Sequence, residues 1–274
     1  MKKFSIPDLD EREAPLLDHL VELRTRLVRS VIALAIAFAV CFYFAEDIFG
    51  FLVRPLVEAF PPGEGRLIYT KLYEAFFVEI KVALFAAFFI SFPIVANQIW
   101  AFVAPGLYAR EKKAFLPFLI ATPVLFVMGA SLAYFVVMPT AFRWFLGFEG
   151  TPGGIKMEAL PSTGDYLDLV MRFILAFGIS FLLPVLLMLL NRAGLVSREQ
   201  LVKARRFVVV AVFILSAVIT PPDIVSQLLL AVPLLALFEG SLVLMWFADR
   251  KEKRKAAGEA GSAAEPGSEG DPEG

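Results

Sequence analysis

The chain has 274 residues, 58% of them apolar, with 28 phenylalanines and a mean hydropathy of +0.72. That is more apolar surface than one soluble core can hide, so an integral membrane protein is expected. Its 26 basic and 27 acidic side chains leave a formal net charge of -1; they are gathered in blocks without a continuous basic face, which excludes a nucleic-acid partner. One cysteine, Cys41, inside an apolar run, and one histidine, His19, allow no intrachain disulfide, no thiolate cage and no two-histidine zinc site, so no metal or cofactor is expected.

Residues 1–26 form a cytoplasmic N-terminal segment. Within it Leu16, Leu20, Leu23 and Leu27 recur at helical spacing opposite a stripe of Asp18, Glu22, Arg26 and Arg29, which predicts an amphipathic helix running into the first span. The polar stretch is too long for a secretory leader and no small-residue cleavage site follows, so the first span is expected to be retained. A hydrocarbon core of about 30 Å calls for roughly 20 apolar residues in helix. Six stretches meet or approach this: 27–45, 72–96, 115–138, 166–190, 207–220 and 224–247. The fifth reaches only about 21 Å before "TPPD", so the fifth and sixth spans are short, and either the bilayer thins around them or their hairpin ends within it. The tail 248–274, charged and then rich in Gly, Ala, Ser, Pro and Glu, is expected to be disordered.

The expected fold is therefore an all-α integral membrane protein of six transmembrane helices over 27–247. Pro93, Pro117, Pro123, Pro184 and Pro233, with Gly129, Gly178 and Gly240, fall inside the spans. They are either the ordinary tolerance of Pro and Gly in membranes or kinks that curve the helices into a concave bundle. Lys and Arg crowd the N-terminal segment, the loop 97–114, the segment 191–206 and the stretch after Phe247. The opposite side holds only Arg54, Arg66, Lys71, Arg143 and Lys156. The positive-inside rule then sets both termini in the cytoplasm.

Two carboxylates stand against that cationic trend. Glu22 sits among Arg24, Arg26 and Arg29 in "HLVELRTRLVRS". Glu111 sits among Arg110, Lys112 and Lys113 in "FVAPGLYAREKK", where Pro105 and Gly106 are expected to break the chain. The plainer account is an i,i+4 pair of Glu22 with Arg26, contributing a few tenths of a kcal/mol, and a charged loop at Glu111. The sharper account is a recognition site for a cationic ligand at one depth on one side.

The blocks "HLVELRTRL", "FVAPGLYAREKK", "AYFVVMP", "FGISFLLPV" and "TPPDIVSQLLLAVPLLALFE" resemble, in order, the signature blocks of the TatC family, the six-span subunit of the twin-arginine protein translocase, over roughly residues 16–247. The resemblance implies a receptor in the bacterial cytoplasmic (inner) membrane. It binds twin-arginine signal peptides and, with the smaller subunits TatA and TatB, exports folded proteins using the proton motive force, and it assembles as a homo-oligomer. It also implies that Glu22 and Glu111 bind the two arginines. A guanidinium forks onto a carboxylate with two parallel hydrogen bonds that an ammonium cannot copy. Arg24 either orients Glu22 or holds a lipid phosphate, while Phe102 and Pro105 shape the loop that presents Glu111. Pro55 in "VRPL" resembles the family's first outer loop, a region of partner contact, and is otherwise a loop proline. At Leu182 the chain departs from the family, many members of which carry Glu or Gln there.

Glu239 falls near the middle of the sixth span, where an ionised carboxylate is costly, so it is either functional, as a partner contact, or neutralised by the protein. Lys81 and Arg172 lie nearer span ends and can snorkel. Asp223 in "TPPD" is placed to cap the sixth helix. A solute transporter would need internal repeats and a mid-membrane polar site, yet no repeat is found, Glu239 is nearly alone and the charge clusters hug one face; an intramembrane enzyme would need an "HExxH", a "GxSG" or paired span aspartates, and the sequence has none of these.

Overall fold

The computed structural model describes residues 10–61, 65–107, 112–192 and 194–263. Its elements are α1 (Asp10–Tyr43), α2 (Ala45–Val57), α3 (Glu74–Leu107), α4 (Lys112–Leu132), a π-helical turn (Ala133–Val137), α5 (Met138–Leu146), α6 (Thr163–Ser180), α7 (Leu183–Arg192), α8 (Arg198–Ile219) and α9 (Ile224–Ala263). Among the described residues no strand forms; only isolated bridges occur, at Ile68 with Ser162 and Gly150 with Met157.

The amphipathic segment and first apolar stretch form one continuous helix, α1, as their unbroken 3.6-residue pattern predicts. It ends at Phe44, whose φ of -103° and ψ of 20° turn the chain into α2. Among the described residues five segments are long and apolar enough to cross a membrane: His19–Tyr43, Glu74–Phe102, Phe118–Leu146, Thr163–Arg192 and Ile224–Phe247. The fifth predicted stretch, 207–220, lies in α8, whose first turns carry Arg198, Glu199, Lys203, Arg205 and Arg206 and leave too short an apolar run. α8 packs against α9. At its start Ser197 accepts from Gln200 N while the Gln200 side chain accepts from Ser197 N, a reciprocal cap that fixes the first turn.

Proline acts differently at each site. α3 runs through Pro93 and on through Pro105 and Gly106 to Leu107, because a proline near a helix end removes only one bond. The break expected at Pro105 is therefore absent. The fourth span does bend, at Phe181 and Leu182 just ahead of Pro184. Pro55 is no loop proline: it is buried inside α2. α9 continues to Ala263, through the first part of the tail that composition assigns to disorder; "KEKRKAA" is made of strong helix formers, and local propensity carries the helix on.

Apolar burial offers no drive between helices in lipid, so close packing must hold them. The main core joins α2, α3, α5, α6 and α9 through Leu52, Val82, Met138, Phe173, Phe177 and Leu230. Where α4 crosses α6, Gly129 and Gly178 permit the approach. A Cβ on Gly129 would lie 2.5 Å from the Phe177 carbonyl oxygen, and one on Gly178 would lie 2.7 Å from the Phe126 ring.

Candidate functional site

On α1, Glu22 Oε1 accepts from Arg26 Nε at 2.9 Å and Nη2 at 2.5 Å. Its other oxygen, Oε2, faces His19 Nδ1 at 3.8 Å. The Glu22 side chain is 35% exposed. Glu22 thus meets its i+4 partner, as helix geometry demands, and keeps open acceptor positions on Oε2. Arg24, two residues on, is exposed and faces away. The cation that orients Glu22 is Arg26, which corrects the orienting role considered for Arg24.

His19 is more than an interfacial residue. Its ring stacks on Phe102 with centroids 4.2 Å apart and an interplanar angle of 16°. This clasps the N-terminal half of α1 to α3 five residues before α3 ends at Leu107. The chain between α3 and α4 carries Glu111, which lies outside the described residues, as does the side chain of Pro105. The structure therefore brings together His19, Glu22, Arg26 and Phe102. A short way along α3, Trp100 Nε1 donates to Thr122 Oγ1 at 2.8 Å and ties α3 to α4.

Glu239 is not alone in its span. Its Oε2 accepts from Arg205 Nη2 at 2.7 Å, and both side chains are half-exposed. Arg205 belongs to the basic block ahead of the fifth apolar stretch, so the carboxylate is paired with a cation from α8 rather than standing alone. At the other end of the hairpin Asp223 Oδ1 accepts from Ser226 N at 2.7 Å and caps α9. Leu182, in the bend of the fourth span, packs on the cluster of Phe92, Ala96 and Phe126.

Three polar contacts have no local signal in the sequence. Lys81 donates to Asp168 of α6 at 2.8 and 3.1 Å. Glu74 binds two loops at once: Oε2 accepts from Thr70 N, Thr70 Oγ1 and Lys71 N, and Oε1 from Ser162 Oγ and Gly164 N. Tyr134, in the π-helical turn, donates to the Phe51 carbonyl at 2.6 Å and stacks on the Phe51 ring. Pro55 has no N–H to give that carbonyl, so the tyrosine hydroxyl satisfies what the proline leaves bare.

Apolar helices of membrane-spanning length, joined by cross-helix polar contacts and carrying a half-open carboxylate on the first, define a polytopic α-helical membrane protein. The family model for TatC, the Sec-independent protein translocase protein, matches residues 18–233. The chain belongs to that family. The TatC of Magnetococcus marinus is 47% identical, covering 93% of this chain and 91% of its own length. That of Escherichia coli is 39% identical, over 84% and 87% respectively. A crystal structure described as the twin arginine translocase receptor TatC superposes with a TM-score of 0.74 at 38% identity, covering 84% of this chain and 99% of that one. The chain is thus a membrane subunit of the twin-arginine, Sec-independent protein translocase, and not an enzyme.

Proposed function

We propose that this chain is the receptor of its translocase and that Glu22 and Glu111 together bind the arginine pair of a twin-arginine signal peptide. The observation that carries the reading is the state of Glu22. Its carboxylate is already set for a guanidinium by Arg26, is 35% exposed, and has Oε2 open beside the His19 and Phe102 clasp. That clasp ties Glu22 to the end of α3, beyond which the chain leads to Glu111. Phe102 and Pro105 position that stretch, and Arg24 lies at its exposed rim. Each charge-assisted bond contributes about 1.5 to 3 kcal/mol. The arginines therefore supply selectivity, and the apolar stretch of the peptide supplies most of the affinity at about 0.8 kcal/mol per buried CH₂.

The wider reading has six spans, α8 supplying the fifth, with both termini in the cytoplasm of a bacterial inner membrane. The concentration of Lys and Arg on one side supports that orientation. TatA- and TatB-type subunits, membrane lipid and further copies of the chain complete the complex, and folded cargo passes at the expense of the proton motive force. Glu239 with Arg205 is a partner contact, and Pro55 and Asp223 lie on the outer side.

The test is a binding measurement on detergent-purified protein. A peptide with two arginines binds, the same peptide with two lysines binds at least about tenfold more weakly, and Glu22→Gln and Glu111→Gln each abolish the difference and stop export while the protein still inserts. Equal binding of both peptides by the unmodified chain sinks the proposal.

A further inference from the structure

A groove of about 470 Å³ runs between α1 and α3, lined by Arg29, Ile32, Ile36 and Val40 on one side and Ile90 and Ile94 on the other. Its walls are apolar apart from Arg29 at one end and the Ser91 hydroxyl, which is buried and donates to the Phe88 carbonyl at 3.3 Å. Arg29 is exposed, and among the described residues no carboxylate pairs with it. From Arg29 to Val40 the helix rises about 16 Å, the depth of one leaflet of a hydrocarbon core about 30 Å thick. Arg29 stands two residues into the first apolar stretch, 27–45, where a long cationic side chain reaches the nearer membrane boundary, with the groove running from it towards the middle of the span.

From this match of length and charge we infer that the groove is a site for one anionic phospholipid, its phosphate on the Arg29 guanidinium and one acyl chain along the isoleucines. A slot one leaflet deep, apolar to its floor, with a single unpaired cation at its mouth, has the polarity of such a lipid turned inside out. Guanidinium binds phosphate through the same two-pronged donation that it offers a carboxylate. A signal peptide fits the slot less well, because its arginines would add two cations beside Arg29.

The site has a consequence for Glu22, which rests on the receptor reading above. Glu22, Arg26 and Arg29 follow one stripe of α1 at spacings of four and three, and Arg26 is the cation that covers Glu22. A phosphate held at Arg29 offers Arg26 a second acceptor one turn away. Its arrival therefore loosens Arg26 from Glu22 and opens the carboxylate to an incoming arginine.

The test uses the full chain in nanodiscs of equal parts phosphatidylglycerol and phosphatidylcholine. Native mass spectrometry counts the lipids it retains after release. The chain is expected to keep phosphatidylglycerol preferentially. Arg29→Gln lowers that preference about fivefold, Arg29→Lys keeps most of it, and Arg206→Gln, whose arginine does not line the groove, leaves it unchanged. Ala33 also lines the groove, between Ile32 and Ile36, and Ala33→Phe, which fills it, cuts retention with the cation in place. Soluble glycerol phosphate does not compete, since it lacks the chain. Unchanged retention in both Arg29→Gln and Ala33→Phe, each still monodisperse, overturns the site. For the coupling, a two-arginine peptide binds the unmodified chain more tightly when phosphatidylglycerol is present, and Arg29→Gln removes that gain; an equal gain in both overturns it. Were Glu22→Gln to bind the peptide as well as the unmodified chain, the receptor reading would fall while the retention result stood.

Discussion

Pro55 inside α2 leaves the Phe51 carbonyl without its helical donor, and the Tyr134 hydroxyl reaches it from 83 residues away at 2.6 Å. The pairing of a missing donor with a supplied one makes a specific rescue experiment. Tyr134→Phe strips the carbonyl of its partner and costs about 1 kcal/mol, read as a lower melting temperature in detergent. Pro55→Ala restores the N–H, so the double variant regains most of that loss, although Tyr134→Phe alone does not. Loss that is merely additive in the double variant contradicts the account. The same contrast explains which residues the sequence makes visible. The contacts of Glu22 with Arg26 and of Asp223 with Ser226 lie within one helical turn, where periodicity alone predicts them. Tyr134 with Phe51 and Lys81 with Asp168, separated by 83 and 87 residues, depend on which helices adjoin, and no local pattern carries that. Arg24 illustrates the converse: nearness in sequence suggested a contact with Glu22 that the helix turns away.

Elements were legible where their apolar runs were long and poorly legible where proline or charge interrupted them. Five of the six expected spans, the first four and the last, coincide among the described residues with helical segments long and apolar enough to cross a membrane. α8 is harder, because its cationic first turns belong to the helix by hydrogen bonding yet not to any apolar window. The prolines mislead in both directions. Pro105 does not end α3, Pro55 does not mark a loop, and Pro184 does accompany a bend; the outcome rests on whether a neighbouring element accepts the freed carbonyl and the bend. Glycines, by contrast, differ in what surrounds them. Gly129→Ala drives a methyl to 2.5 Å from the Phe177 carbonyl, backbone that cannot yield, so α4 and α6 must separate. A cost of about 1 to 3 kcal/mol is expected. Gly240, with nothing within 4 Å of an added Cβ, accepts alanine without loss. Thermal unfolding of the two variants side by side checks this, and equal melting temperatures contradict the crossing described.

Across the whole molecule, polar contacts gather at the two ends of the bundle. At one end the His19 and Phe102 stack and the Trp100 to Thr122 bond fasten α1 to α3 and α3 to α4. At the other end Glu74 accepts from the segment before α3 and from the start of α6, and Ile68 exchanges backbone bonds with Pro161 and Thr163. Glu74→Gln places an amide among donors and turns an acceptor into a clash of like groups. It lowers the melting temperature and frees both loops to proteolysis; a protected loop in that variant contradicts the hub.

This two-ended arrangement also gives the clearest test of how the chain threads the membrane. With six spans, the turn at Pro222 lies outside together with the loop at Lys71, whereas Arg250 lies inside with Arg24. Cys41 is buried among Ala37, Ala45, Ala83 and Ala87, small neighbours that let Cys41→Ala pass without strain. In that background, single cysteines at positions 71 and 222 react with a membrane-impermeant maleimide added to intact cells, and cysteines at 24 and 250 react only after the membrane is opened. Were α8 to lie on the surface rather than cross, positions 222 and 250 would sit on opposite sides only through α9, and 222 would share a side with 192. With position 24 inside, position 192 lies inside in either case, so positions 222 and 250 decide between the two: labelling of 222 from outside with protection of 250 requires α8 to cross, with Arg205 and Glu239 paired near its start, whereas protection of 222 with labelling of 250 from outside removes the fifth span.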